Sequence, residues 1–418
     1  MKRRQFLAVS VGAASGAAIS KQAQALALPC PPPAINVSGG TSAQSSCIAA
    51  VLPAWASALS DKTWASIATS ATISAVTPST SPGGNTGFAG IIDAWGGAAL
   101  DTSRQELIVP AQGGHNDYWG NEVYALGLNA ASPAWLRVTT PRYAFGSNNW
   151  DMDDGSPRSN HGASTICYAQ NVDRTYVAPM LNCAPYGNSY TVVHAFSRAS
   201  NSWTKKSTLP ANWASESSYG GCAYDSATGS VWICGVDGTA NSVSRYNPVS
   251  DSHTVYTNTP ASRGYSGTLA LSVSRRCMIY INGSVVNHNG TFVWFDLDNP
   301  TAGWRSPASV TGSSMTGYGP GLVWHPASGK FIGWNGSGVR SALLTLTPPA
   351  NLVTGVWAWN SVPAAASNGT TPSAQAQNGT YGRFNLVQDL AGSGRDFLVL
   401  LNGVAQATFA YKLPASGL

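Results

Sequence analysis

The segment Gly113-Gly114-His115-Asn116-Asp117-Tyr118 places an imidazole, an amide, a carboxylate and a phenol in a row behind two glycines. His161 opens a second segment, His161-Gly-Ala-Ser-Thr-Ile-Cys, and Tyr219 and Tyr265 open two later segments of the same shape. Imidazoles and phenols can exchange protons at working pH when burial and nearby charges tune them. Two imidazoles, phenols and a cation can abstract the proton beside a uronate carboxylate and expel the 4-linked sugar. That elimination needs the carboxylate neutralised, with a base and an acid on either side of the ring. Glycoside hydrolysis asks instead for two carboxylates. Asp117 is the evident acid of this group, with Asp151, Asp153 and Asp154 further along in a linker.

These residues fall at fixed places in a repeat. Six segments open with an aromatic residue or His, continue with a small residue and run into an apolar strand, beginning at Trp95, His161, Tyr219, Tyr265, Tyr318 and Tyr381. A turn and a second apolar strand follow each time: Glu106–Val109, Thr175–Ala178, Val231–Cys234, Met278–Ile281, Lys330–Trp334 and Phe397–Leu401. Third strands alternate over Glu122–Leu126, Tyr190–Phe196, Ser242–Tyr246, Thr291–Phe295, Ala342–Leu346 and Ala407–Tyr411. Fourth strands start near Trp135, Trp203, Trp304 and Trp357, with Val255-Tyr256 in the third copy. The sixth copy lacks a fourth strand, and a matching piece stands before the first copy at Trp64-Ala-Ser-Ile-Ala. Circular bookkeeping of this kind predicts an all-β fold, a single β-propeller of six four-stranded blades with seven as the alternative count, its N-terminal strand closing the last blade.

Antiparallel order puts the start of each first strand and the end of each second strand at one end of the blade. The expected site is therefore one rim of the ring. His115, His161, Tyr219 and Tyr265 are its expected catalytic residues. Trp95, Asn116, Tyr118, Arg158, Arg263, Tyr318, Tyr381 and Arg383 are its expected binding residues. Aromatic faces stack on sugars, and amides, phenols and guanidinium groups bond their hydroxyls and carboxylates. The competing reading is structural: the ring of aromatics fills space between inner strands, and His115 braces its loop. His194, His253 and His325 are expected to be structural.

Composition agrees with this frame. Charged residues make up 10% of 418, against about 25% in a typical domain, while Gly numbers 44 and Trp 15. That mixture excludes a disordered chain or a coiled coil and suits short strands with tight turns. No apolar run long enough to span a membrane occurs beyond the N-terminus.

Residues 1–25 read as an export signal: Lys2, Arg3 and Arg4, an apolar stretch, then Ala23-Gln24-Ala25. The Arg3-Arg4-Gln5-Phe6-Leu7 run resembles a twin-arginine signal and implies a periplasmic or secreted protein. Without this segment, 19 basic residues face 18 acidic ones, a balance of +1 that gives no case for nucleic-acid binding. Residues 26–60 read as a Pro/Ser-rich leader and 61–418 as the propeller. In an oxidising compartment the seven cysteines suggest disulfides, with Cys222–Cys234 across a hairpin, Cys30–Cys47 in the leader and Cys167–Cys183 as pairings and Cys277 left as a buried thiol.

The diglycine Gly113-Gly114, followed by Tyr118 and the later Trp135, resembles the kelch pattern of galactose oxidase-like propellers, over residues 60 to 413. Within that group, His115 in its loop, His161 opening the next blade, and Tyr219 and Tyr265 opening the two after resemble the propeller-type ulvan lyases in order and rough spacing. The resemblance implies an acidic polysaccharide as partner and no required cofactor. It implies His161 or Tyr219 as base and acid, His115 helping to neutralise the carboxylate, and Tyr265 assisting. Two departures stand out: the loop Cys234-Gly-Val-Asp-Gly holds no Arg where those lyases carry one, and their rings have seven blades. The alternatives are a non-catalytic glycan- or protein-binding propeller, and a copper radical oxidase, for which the Tyr-His copper pair and the extra C-terminal domain are not seen. A structural metal is left open, and a monomer is expected.

Overall fold

Each repeat forms a four-stranded antiparallel sheet in the computed structural model. The structure describes residues 51–418 apart from 143–151, 186–187, 211–219, 236–241, 258–266, 283–290, 316, 337, 366–368 and 416–417. Tyr219, Arg263 and Tyr265 lie outside the described residues, as do the export signal and Cys30 and Cys47.

Blade one comprises Ala99–Asp101, Glu106–Pro110, Val123–Gly127 and Trp135–Arg137. Blade two comprises Ile166–Ala169, Arg174–Val177, Val192–Ser197 and Ser202–Thr208. Blade three comprises Gly221–Asp225, Ser230–Cys234, Val243–Asn247 and Ser252–Tyr256. Blade four comprises Thr268–Ser272, Cys277–Ile281, Phe292–Asp296 and Trp304–Arg305. Blade five comprises Gly321–His325, Lys330–Trp334, Leu343–Thr347 and Val356–Val362, with Ser309–Thr311 added in parallel at its outer edge. Blade six comprises Phe384–Val387, Phe397–Leu400 and Thr408–Lys412, completed by Trp64–Ile67. Trp64 pairs with Tyr411 and Ile67 with Thr408. Six blades with N-terminal closure are what the repeat predicts, and no seventh occurs among the described residues.

Burial explains the strand chemistry. A blade is covered on both faces by its neighbours, so its second strand is apolar throughout rather than alternating. Ser230–Cys234 and Cys277–Ile281 are buried at every position. The period of two then sends alternate side chains to opposite seams. Val231 and Ile233 enter the cluster shared with blade two, while Trp232 and Cys234 enter the one shared with blade four. The core is six such apolar clusters, one per seam. Outer-strand tryptophans lock successive blades: Trp135 donates to Thr408 Oγ1 of blade six at 3.0 Å, and Trp64 to the Ser341 carbonyl beside blade five at 3.1 Å.

The expected disulfides are absent from the described residues. Cys167, Cys183, Cys222, Cys234 and Cys277 are buried, and no disulfide joins any two of them. The hairpin pairs Cys222 with Ile233 and Cys234 with Gly221, one position out of register, so the two side chains leave opposite faces of the sheet. Cys277 is buried, as expected, and burial pushes its thiol up to about 12.

Candidate functional site

Gly113 and Gly114 follow the second strand of blade one with φ of +137° and +72°, a left-handed path that L side chains resist. This path turns the loop 113–118 over the rim, where a side-chain oxygen of Ser159 accepts from the Gly114 N–H at 3.0 Å. A short segment ahead of blade one holds the loop from outside. Asn85 Nδ2 donates to Asn116 Oδ1 at 2.8 Å, and Thr86 Oγ1 to Asp117 Oδ1 at 2.7 Å. Gln112 ties three elements together, its Oε1 accepting from the N–H groups of both Gly97 and Gly162 at 2.9 Å.

His161 lies at the centre of the resulting cluster. Its ring is 4.7 Å from the Trp95 ring at 33° and 5.2 Å from the His115 ring at 53°. Asn182 Nδ2 lies 3.3 Å from His161 Nδ1, and Asp117 Oδ2 lies 3.3 Å from His161 Nε2. An amide donating to Nδ1 leaves the proton on Nε2, which then donates to Asp117. The imidazole is fully buried. Burial holds its pKa below the ordinary histidine value, against the opposing pull of Asp117 and the Gly113 carbonyl, with the His115 charge adding to the depression. The bond from His161 in turn holds the Asp117 carboxyl below the usual carboxylate value, with burial opposing and Thr86 assisting. At neutral pH the pair is therefore a neutral imidazole beside a carboxylate.

His115 differs from His161. It is half-buried, and its Nδ1 has no hydrogen-bond partner among the described residues. Its backbone carbonyl accepts from Trp119 Nε1 at 2.7 Å, which fixes the loop without using the ring. Trp95 Nε1 donates to Tyr318 Oη at 3.0 Å, joining the openings of blades one and five.

The structure thus brings together Trp95, His115, Asn116, His161 and Tyr318, and adds Asp117 and Asn182. Four other expected residues turn inward. Tyr118 is buried and donates to Glu122 Oε1 at 2.5 Å. Arg158 is buried and donates to the Ala184 carbonyl at 3.1 Å. Tyr381 is buried, its ring packed where a Cβ on Gly319 would fall. Arg383 is buried and donates to the carbonyls of Gly96 at 2.8 Å, Leu401 at 2.7 Å and Gly379. Burial lowers its pKa to about 10. Its guanidinium braces the junction between blades six and one. Asp117 is visible in the sequence as an acid, but its pairing with His161 is not, and neither is the Asn85–Thr86 clasp, because both join segments distant in the chain.

The other described histidines have structural partners, and His288 lies outside the described residues. His194 Nδ1 lies 2.9 Å from the Gly155 carbonyl, and His253 Nδ1 lies 2.9 Å from Ser244 Oγ. His325 closes the first strand of blade five, with Nε2 3.0 Å from Asp396 Oδ2. No group of three or more His, Cys, Asp or Glu side chains placed to hold a metal ion occurs among the described residues.

No protein-family model matches the chain, and no curated protein matches it. Among solved structures, one titled "Structure of YjhT" aligns at a TM-score of 0.44 and 13% identity, over 78% of this chain and 99% of that one.

Proposed function

We propose that this rim takes a uronate-containing polysaccharide and cleaves it by β-elimination, in an exported protein that needs no cofactor for the step. The observation that carries the reading is the stack of Trp95, His161 and His115 with Asp117 behind it. His115 is half-buried, and its shielded Nδ1, which has no hydrogen-bond partner among the described residues, is the ring atom left for a ligand that enters the cluster. Protonated, it neutralises the uronate carboxylate and so acidifies the adjacent carbon. His161 keeps the cluster's second imidazole neutral and oriented through Asn182 and Asp117. Tyr219 and Tyr265, which open the next two blades in the sequence, supply the phenols for the base that takes the proton and the acid that protonates the departing oxygen. The carbon–hydrogen bond and the bond to the leaving oxygen break, and a carbon–carbon double bond forms in the uronate.

The test is ultraviolet absorbance of the unsaturated uronate on a panel of acidic polysaccharides. Activity should fall about a hundredfold or more in His115→Ala and in Tyr219→Phe. Absence of product with every uronate polymer would overturn the reading.

One observation favours a second reading, a binding propeller for neutral glycans. Arg158 and Arg383, the two described arginines expected to meet a carboxylate, point to backbone carbonyls instead. Binding of neutral glycans on an array, unaffected by added uronate, would select this alternative.

A further inference from the structure

The inner strands of blades two and three touch along the axis of the ring. Ser164 and Gly221 form a parallel bridge, and the Cys222 N–H donates to the Ser164 carbonyl at 2.8 Å. Just beyond that bridge, Cys167 of blade two and Cys222 of blade three enter the same apolar cluster. Both side chains turn into this one seam, and the Cys167 thiol, beside that of Cys222, adds to the effect of burial in raising it above its ordinary range. Both also line the axial cavity, of about 560 Å³, whose walls are the six first strands. A small solute in that cavity therefore reaches the pair even though each residue is buried, at 7% and 5% exposure.

We propose that Cys167 and Cys222 are a redox pair that closes to a disulfide across the seam between blades two and three by exchange with a small disulfide such as oxidised glutathione. One thiol loses its proton, and the thiolate attacks a sulfur of the oxidant and expels one glutathione thiolate. The second protein thiolate attacks the mixed disulfide and expels the other. The protein gives up two thiol protons and two electrons, and one oxidised glutathione becomes two reduced ones. Burial holds the Cys222 thiol well above its ordinary range, so exchange should quicken as pH rises. The nearby competitor is Cys234, which leaves the opposite face of the hairpin into the next seam.

The experiment incubates the full chain with oxidised glutathione, blocks residual thiols in denaturant and maps peptides without reduction. The expected result is a linked peptide pair containing Cys167 and Cys222, lighter by two hydrogens than its reduced form. It should persist in Cys234→Ser and vanish in Cys167→Ser. The oxidised protein should melt about 5 °C above the reduced protein, since the link closes a long loop of the unfolded chain. A Cys222–Cys234 link, glutathione retained on single cysteines, or full alkylation of both thiols in the wild type would each overturn the proposal. Because the mapping is made on the wild-type chain, the outcome does not depend on whether the serine variants fold.

Discussion

Gly114 makes room for His161: a Cβ at position 114 would lie 2.0 Å from His161 Cδ2 and 2.3 Å from Nε2. The diglycine therefore sets the distance between the loop of blade one and the imidazole that opens blade two. Gly114→Ala must move one of them, and its φ of +72° adds strain. The expected cost is about 1–3 kcal/mol of stability. The His161 pKa should also rise toward the ordinary value as its burial is relieved. Nuclear magnetic resonance titration of the ring protons measures this directly; an unshifted His161 would contradict the steric account.

Acid should destabilise the protein in two stages. The His161 pKa is lowered in the folded state, so the unfolded chain binds the extra proton first, and stability falls as pH drops below about 6.5. His253, also lowered by burial, acts in the same direction and the same window. The Asp117 pKa is lowered as well, so its contribution is present above about 3.9 and is lost as pH falls through the folded value. Thermal midpoints of wild type and His161→Gln across pH 5 to 7, read against the about 6.5 reference, should show a shallower slope in the variant, with the His253 share remaining.

Arg383 should prove to be a matter of stability before ligand affinity. Arg383→Met leaves the carbonyls of Gly96, Gly379 and Leu401 without their donor. The expected loss is about 3 kcal/mol or more, because buried acceptors stripped of partners carry the full desolvation cost. Denaturant titration gives the stability, and ligand affinity of the folded fraction should be unchanged. A normal melt with weakened binding of acidic glycans would return Arg383 to the ligand.

Trp64 tests the closure of the ring. Its indole donates to the Ser341 carbonyl, and its ring centroid is 5.1 Å from that of Tyr411. Trp64→Ala should cost about 3–5 kcal/mol. Hydrogen exchange should report the loss most strongly in Thr408–Lys412, the strand it pairs with. Uniform loss across all six blades would show that the seams do not melt separately.

The blade pattern is legible in the sequence because each second strand is buried on both faces and must be apolar end to end. Boundaries shift slightly: the third strand of blade one begins at Val123, leaving Glu122 outside it, buried against Tyr118 and Tyr124. The Cys222–Cys234 expectation fails on one position of register. The turn sets Asp225 opposite Ser230, and counting back from that pair puts Ile233, not Cys234, across from Cys222. Arg158 and Arg383 show a different limit. Their places at the blade openings can be read from the repeat, but the carbonyls of Ala184 on Arg158 and of Gly96 and Leu401 on Arg383 come from segments folded over from elsewhere. The partnership of Asp117 with His161 depends likewise on the path of two glycines rather than on residue types.

The pairing of Trp64–Ile67 with Thr408–Lys412 has a bearing on biosynthesis. A chain emerging from the ribosome presents the first of these strands before blade one and the second only after blades one to five have been made. Blades one to five can assemble in order from contiguous sequence, but the last sheet cannot be finished until Thr408–Lys412 has emerged. Nascent chains halted before residue 408 should therefore carry an unlatched tail and two bare strand borders, a target for chaperones or proteases that the finished molecule no longer offers.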